Sequence, residues 1–182
     1  MNARLLIAVA VGAIAIALLI WPRSHAHAPG PRPGGHGMAA VIVRDVDGDT
    51  VLARAGGRTF YVRLLGIDTP ETHRPGTPVE CGGPQASARM SALVPPGMHV
   101  RLETDPTQDR IDRYGRLLAY VWLPDGRLAE TVEVEAGWAT TYVYEGHPVE
   151  LFSKLAAAAR DARQAHRGVW AECGGDFHSA SG

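Results

Sequence analysis

The chain has 182 residues, of which 46% are hydrophobic and 20% charged, and its formal net charge at pH 7 is −1. This composition excludes an intrinsically disordered chain, which would carry far fewer apolar residues. Arg4 and Arg23 are the only charged residues among the first 28, so the remainder has a net charge of −3 and is not a generally basic nucleic-acid binder. Roughly 140 residues after the first 37 are enough for one compact core.

The first 28 residues have the layout of a secretory signal. Arg4 precedes an uncharged apolar run over residues 5 to 21, and Ser24, Ala26 and Ala28 offer small-x-small cleavage sites. The run is also at the short end of a membrane span, so residues 1 to 28 are predicted to be a signal peptide or an N-terminal membrane anchor. In either case we expect an exported protein, secreted or anchored to the outer face of the cytoplasmic membrane.

The remaining chain divides into three predicted segments. Residues 29 to 38 are rich in glycine, proline and histidine and predict a flexible linker. Residues 39 to 174 form the single predicted domain, and residues 175 to 182 are predicted to be a disordered tail. A monomer without an obligate protein partner is the default expectation.

Short apolar runs predict five β-strands and three helices within the domain. The strands are expected at residues 41–43, 50–52, 59–65, 98–103 and 117–123, with Ala55-Gly56-Gly57-Arg58 as a hairpin turn. Helices are expected at residues 84–93, 128–136 and 149 to about 166, each followed by proline or glycine. This order predicts an α+β fold, a small five-stranded, partly open barrel of the oligonucleotide-binding (OB) type with three helices.

Carboxylates cluster where the predicted strands end, in Asp45-Val46-Asp47-Gly48-Asp49 and at Asp68. Carboxylate oxygens are hard ligands suited to calcium or magnesium. Asp-Gly-Asp between two apolar runs is also ordinary turn chemistry, and for this motif alone both interpretations stay open. An EF-hand is excluded, because its sixth position is Thr50 instead of glycine and its twelfth is Gly56 instead of glutamate.

Cys81 and Cys173 are the only cysteines, and neither lies in a C-x-x-C metal pattern. In an oxidising compartment a lone pair of cysteines predicts a disulfide. The alternative is two buried, unpaired thiols.

Five sequence blocks resemble the staphylococcal nuclease (thermonuclease-like) domain family, in family order and with family-like spacing over roughly residues 39 to 172. They are Asp-Gly-Asp-Thr-Val at 47–51, Arg-Leu-Leu-Gly-Ile-Asp-Thr-Pro-Glu-Thr at 63–72, Gly-Pro-Gln-Ala-Ser at 83–87, Asp-Arg-Tyr-Gly-Arg at 112–116 and Tyr-Val-Tyr at 142–144. The family fold is an OB-type barrel with three helices, in agreement with the strand and helix pattern.

The resemblance implies a calcium site with a general base beside it. Asp49 and Asp68 would coordinate Ca²⁺, with the Thr69 backbone carbonyl as a third ligand and Asp47 behind them. Two carboxylates leave room for waters and a phosphate oxygen, since calcium takes six or more oxygens. Glu71 matches the proposed general base, although a surface glutamate beside a proline turn is the plain alternative.

The resemblance also implies two groups of residues that contact substrate. Arg63 and Arg116 match phosphate-binding arginines, whose guanidinium forks can stabilise charge that develops on phosphorus; the alternative is a solvent-exposed ion pair with an aspartate. Base stacking on aromatic rings is poorly selective for sequence, although alternating tyrosines would also suit a half-buried extended segment. The implied substrate-binding residues are Arg113, Tyr114, Tyr142 and Tyr144.

Taken together, the resemblance implies an exported calcium-dependent nuclease that hydrolyses phosphodiester bonds of DNA and RNA with little sequence specificity and leaves 3′-phosphates. One rival is a catalytically weak module of the same fold that binds nucleic acid or calcium. Another is an exported calcium-binding or adhesion domain, in which Arg63 and Arg116 would have no purpose. Every matched catalytic position keeps its residue type, which favours the enzyme.

Overall fold

The computed structural model describes residues 37–72, 76 and 78–180. The predicted signal peptide or anchor lies outside these residues, as do residues 29–36 of the predicted linker and the last two residues of the predicted tail. Met38, the last residue of the predicted linker, already belongs to the first strand. None of the helices in the described part of the chain is long and apolar enough to cross a membrane.

Five strands form a barrel, which confirms the predicted OB-type α+β fold, although the barrel is closed and not partly open as predicted. They are β1 (Met38–Asp47), β2 (Thr50–Ala55), β3 (Arg58–Leu64), β5 (His99–Glu103) and β6 (Leu117–Trp122), while β4 (Ile67–Asp68) and β7 (Thr140–Thr141) form a separate two-stranded sheet. The barrel order is β1-β2-β3-β6-β5, and β5 pairs back to β1. The β3–β6 pair is parallel and the other four barrel pairs are antiparallel.

Local sequence explains how the strands turn and bend. The predicted hairpin turn joins β2 to β3, with positive φ angles of 55° at Gly56 and 75° at Gly57 that favour glycine. Register shifts in β1, between Ile42 and Arg44 and between Asp45 and Asp47, mark irregularities that bend the strand. The bent strand pairs with β5 at its start and with β2 further along, which closes the barrel.

Four helices pack around the barrel in the described residues. They are α1 (Gly83–Leu93), α2 (Ala129–Glu135), α3 (Phe152–Gln164) and α4 (Val169–Glu172). The first three confirm the predicted helices, with boundaries that differ by up to three residues. The fourth was not predicted, because a single turn is too short to show helical periodicity.

The core lies inside the barrel and beneath the helices. Strand alternation buries Val51 and Ala53 on β2 and Val62 and Leu64 on β3. Helix α3 buries Leu155 against the same cluster. The barrel is therefore filled with side chains, and any ligand site must lie at its rim.

The predicted disulfide between Cys81 and Cys173 is present and joins the loop before α1 to the residue after α4. The prediction of a disordered tail does not hold for residues 175–180. Phe177 is 5% exposed and packs edge-to-face on Trp170, with ring centroids 5.2 Å apart. The Cys81 backbone N–H donates to the Ser179 carbonyl at 2.8 Å. These contacts hold the segment against the domain.

Two glutamates on α2 are buried without exposed surface, Glu130 and Glu133. Glu130 accepts hydrogen bonds from the Val121 backbone N–H. Among the described residues neither carboxylate oxygen of Glu133 has a hydrogen-bond partner, and the Nε of Arg89, its ion-pair neighbour, lies 3.4 Å from Oε1. Burial disfavours the charged form and raises the pKa of Glu133 to about 8.

Glu133 should therefore make the domain less stable as pH rises. Below about pH 4.5 the Glu133 carboxyl is protonated in both the folded and the unfolded chain. Between that pH and about pH 8 it is ionised in the unfolded chain but still protonated in the folded one, so the free energy of unfolding falls through this range. We expect Glu133→Gln to raise the free energy of unfolding by less than about 1 kcal/mol near pH 5, where the unfolded carboxyl has only begun to lose its proton, and by at least about 2 kcal/mol at pH 8.5. Urea unfolding at both pH values measures the difference.

Glu135→Gln, at an exposed position on the same helix, is the matched control and should be nearly neutral at both pH values. An effect of Glu133→Gln that is equal at pH 5 and pH 8.5 would contradict the assignment.

Candidate active site

One open cavity of about 750 Å³ lies at the barrel rim and collects residues from several parts of the chain. The β1–β2 turn, the end of β3, the loop after β4, the loop before β6 and the segment after β7 all reach it. Every site residue suggested by the sequence lines this cavity. They are Asp47, Asp49, Arg63, Asp68, Thr69, Glu71, Arg113, Tyr114, Arg116, Tyr142 and Tyr144.

The β1–β2 turn serves both interpretations of Asp-Gly-Asp, since it reverses the chain and presents carboxylates. Asp47 accepts from the Gly48 backbone N–H at 2.8 Å. Asp49 is 8% exposed and accepts from the Thr50 hydroxyl at 2.9 Å. A Cβ at position 48 would lie 2.9 Å from the Thr69 Oγ1, so glycine is required for this close approach. The turn thereby packs directly against the loop after β4.

Arg63 occupies the centre of the site and is not the solvent-exposed ion pair that the sequence left open. Its side chain is 13% exposed. The Nη2 atom lies 2.9 Å from Asp49 Oδ2 and 3.0 Å from Asp68 Oδ1. Both carboxylates therefore converge on a single cationic nitrogen.

The carboxylates carry more negative charge than the site neutralises. Burial raises the pKa of Asp68 to about 6, against the opposing effect of Arg63, and the Asp49 charge raises it further. Burial also raises the pKa of Asp47 to about 7, with contributions from a hydrogen bond to Glu71 and from Asp49. Such crowding favours a bound cation.

The donor set suits a hard divalent cation. The carboxylates of Asp49 and Asp68 converge, and Thr69 lines the cavity beside them, with its backbone N–H 3.4 Å from Asp49 Oδ2. Within residues 37–72, 76 and 78–180, no three histidine, cysteine, aspartate or glutamate side chains are already arranged as a metal site. In this arrangement Arg63 provides the positive charge between the two aspartates.

Hydrogen bonds fix the loop that carries Glu71. The Glu71 backbone N–H donates to Glu80 Oε2 at 2.7 Å, and the Thr72 backbone N–H donates to Glu71 Oε1 at 3.0 Å. The Thr72 hydroxyl donates to Asp47 Oδ1 at 3.1 Å. Glu71 is thus a restrained part of the cavity wall and differs from the freely exposed glutamate of the plain alternative.

Asp112 holds Arg116 in the wall of the cavity. The Arg116 backbone N–H donates to Asp112 Oδ1 at 2.9 Å, and its Nε donates to Asp112 Oδ2 at 2.6 Å. Burial by itself would raise the pKa of Asp112, but these hydrogen bonds from Arg116 outweigh it and hold the pKa below its usual range. Asp112 is therefore ionised at neutral pH and orients the guanidinium.

Exposed aromatic rings border the cavity. Tyr114 is 68% exposed, and the guanidinium groups of Arg113 and Arg116 lie 4.8 and 5.3 Å from its ring centroid. Tyr142 and Tyr144 are 42% and 49% exposed. The rings of Tyr142 and Tyr144 are available to a ligand, in contrast to the half-buried segment that the alternation also suggested.

Three polar residues of the site were not found from the sequence: Glu80, Asp112 and His178. Glu80 and Asp112 act on neighbouring site residues through hydrogen bonds that exist only once loops have folded. His178 was assigned to the disordered tail. The sequence around His178 could have indicated an ordered segment, because a cysteine five residues earlier and an adjacent phenylalanine can anchor the chain.

Comparisons with known proteins agree with this geometry. The family model described as "Staphylococcal nuclease homologue" matches residues 61–172, more than half of the chain. A thermonuclease of Staphylococcus hyicus is 34% identical over 71% of this chain and 73% of its own length. Endonuclease YncB of Bacillus subtilis (strain 168) is 36% identical over 72% of this chain and 61% of its own length.

A thermonuclease of Staphylococcus intermedius is 43% identical over 49% of this chain and 51% of its own length. The region that the family model matches contains the end of β3, the barrel strands β5 and β6, the four helices and all but two of the site residues that the sequence suggested, the exceptions being Asp47 and Asp49. The shared region therefore carries both the fold and most of the site, and the chain belongs to the staphylococcal nuclease family.

Proposed function

We propose that this chain is an exported, calcium-dependent nuclease that hydrolyses phosphodiester bonds of DNA and RNA with little sequence specificity and leaves 3′-phosphates. The observation that carries the proposal is the convergence of Asp49 and Asp68 on one cationic nitrogen, in a cavity that also holds Glu71 and Arg116. The names of its relatives, thermonuclease and endonuclease, support the same activity.

Asp49 and Asp68 would hold calcium through their carboxylates and Thr69 through its backbone carbonyl, with Asp47 supporting them from behind. All four residues line the cavity, and the oxygen donors match the preference of calcium. When bound, the ion would supply Lewis-acid polarisation of the phosphate and a template for its orientation.

The protein side chains would divide the remaining work. Glu71 would accept a proton from the attacking water, whose oxygen forms a new bond to phosphorus as the bond to the 5′ oxygen breaks. Arg63 and Arg116 would bind the phosphate oxygens and stabilise the charge that develops on them. The departing 5′ oxygen would take a proton from water, so that the products are a 3′-phosphate and a 5′-hydroxyl.

Substrate selection would rest on stacking and local charge. The rings of Tyr114, Tyr142 and Tyr144 offer faces to any base, and Arg113 adds a cation beside them. The overall charge of −1 does not attract polyanions to the protein as a whole. Affinity would therefore depend on the arginines of the cavity and fall with rising salt.

Export is supported by the disulfide together with the N-terminal segment. Cys81 and Cys173 form a bond that persists in oxidising compartments. The apolar run over residues 5 to 21 would direct the chain there, either as a cleaved signal or as an anchor.

The test is cleavage of single-stranded and duplex DNA and of RNA by purified residues 38 to 182, with calcium and then with EGTA. We expect calcium-dependent cutting that Glu71→Gln lowers by about 10² to 10⁴, because the water loses its proton acceptor. Glu135→Gln, an exposed glutamate outside the cavity, is the control and should cut like the wild type. End-labelling of the products checks for 3′-phosphates.

Intact substrate with a protein that binds calcium would instead favour the binding-module alternative. Wild-type cutting by Glu71→Gln would remove Glu71 from the proposed role. Cutting that survives EGTA would refute the calcium dependence.

A second prediction concerns how Arg116 is oriented. Asp112→Ala removes the acceptor of both the Nε and the backbone N–H of Arg116 and should lower kcat by about tenfold to a hundredfold through a misplaced guanidinium. Asp125→Ala is the matched control, since Asp125 makes the same two contacts to Arg127 at 3.0 and 2.7 Å outside the cavity. Steady-state kinetics on one oligonucleotide would compare them, and equal loss in both variants would contradict the orienting role.

A further inference from the structure

A segment beyond the family match forms one wall of the cavity. We call residues 174–180 the C-terminal strap; the family model matches only as far as residue 172. The strap follows the disulfide of Cys173, is held by the buried Phe177, and pairs at Ala180 with Glu80. Its backbone is therefore fixed on both sides of His178.

The imidazole of His178 lies between two carboxylates of the site. Its Nδ1 is 3.3 Å from Glu80 Oε2, and its Nε2 is 3.5 Å from Asp68 Oδ2. The side chain is 58% exposed and lines the cavity. One ring thus connects the aspartate at the end of β4 with the loop that precedes α1.

The contact with Glu80 extends to Glu71. Glu80 is 6% exposed, and the same Oε2 atom that faces His178 accepts the Glu71 backbone N–H at 2.7 Å. Together with the Glu80 backbone N–H, which donates to the Glu71 carbonyl at 2.9 Å, this carboxylate therefore helps to hold the Glu71 backbone. His178 is the strap residue that can restrain the Glu80 carboxylate from the cavity side.

The other contact bears on Asp68. Arg63 contacts Asp68 through Oδ1, whereas His178 faces Oδ2. The 3.5 Å contact is an ion pair of the protonated imidazole, since a neutral ring carries a single N–H and could donate to only one of the two carboxylates. A carboxylate contacted at both oxygens keeps one orientation, and loss of such outer partners typically lowers metal affinity by about 10- to 100-fold.

We propose that His178 is a positioning residue of this active site, which holds the Asp68 carboxylate through Nε2 and, through Glu80, the Glu71 backbone. The effects of His178 on calcium binding and on cleavage rest on the proposed function. The restraint on the Glu71 backbone is a property of the protein alone and needs neither metal nor substrate.

The test compares His178→Ala with Ser179→Ala, its neighbour in the strap, whose hydroxyl donates only to the Asp176 carbonyl. Isothermal titration with calcium should show affinity lowered about tenfold in His178→Ala. Hydrogen exchange of the Glu71 amide, followed by NMR without metal, should become about fivefold faster, as expected when one hydrogen bond loses its support. Ser179→Ala should match the wild type in both.

Conservative variants separate the two contacts. The amide of Gln reaches the position of Nε2, so His178→Gln should recover calcium affinity through Asp68. The amide of Asn reaches the position of Nδ1, so His178→Asn should recover slow exchange at Glu71 through Glu80. In cleavage assays His178→Ala should lower kcat more than it raises KM, because stacking on the tyrosines is unchanged.

Wild-type calcium affinity or wild-type Glu71 exchange in folded His178→Ala overturns the proposal, and thermal unfolding of each variant confirms that it is folded. A wild-type protein that neither binds calcium nor cleaves would refute the proposed function. Amide exchange would still decide whether His178 holds the Glu71 backbone.

Discussion

The ion pairs of Arg63 with Asp49 and Asp68 are the interaction on which the rest of the site depends. One guanidinium meets both carboxylates through Nη2 and donates through Nη1 to the carbonyls of Leu64 and Ile67, each at 2.9 Å. It therefore joins the β1–β2 turn to the corner between β3 and β4. A buried charge is tolerated only when it is paired, so these residues stabilise one another as a set.

This arrangement also poses a condition for the proposed chemistry, because the same guanidinium is needed for phosphate. A divalent cation shared by Asp49 and Asp68 would satisfy both carboxylates and leave Arg63 free to bind phosphate oxygens. Arg116 needs no such exchange of partners, because Asp112 binds its Nε and not its two terminal nitrogens, of which Nη1 lies 3.4 Å from the Thr50 hydroxyl. Arg116 could therefore bind phosphate before the cation arrives, whereas Arg63 could do so only afterwards.

The sequence predicted the features whose causes are local. Alternation indicated the barrel strands, Gly56 and Gly57 indicated the hairpin, and the motif at 63–72 indicated four of the predicted site residues, because each of these features depends on nearby residues. The ordered strap and the one-turn helix α4 were missed, since tertiary contacts such as Phe177 against Trp170 stabilise them. Glu80 was missed for the same reason, because its carboxylate accepts a hydrogen bond from the Glu71 backbone N–H, nine residues away in the sequence.

The disulfide joins parts of the chain that are far apart in sequence. Cys81 and Cys173 are 92 residues apart, and β5, β6 and the four helices lie between them. In a reducing environment nothing covalent would tie the strap to the domain, and its position would depend on non-covalent contacts such as that of Phe177 with Trp170. The rigidity of the cavity beside His178 would therefore depend on the redox state of the surroundings.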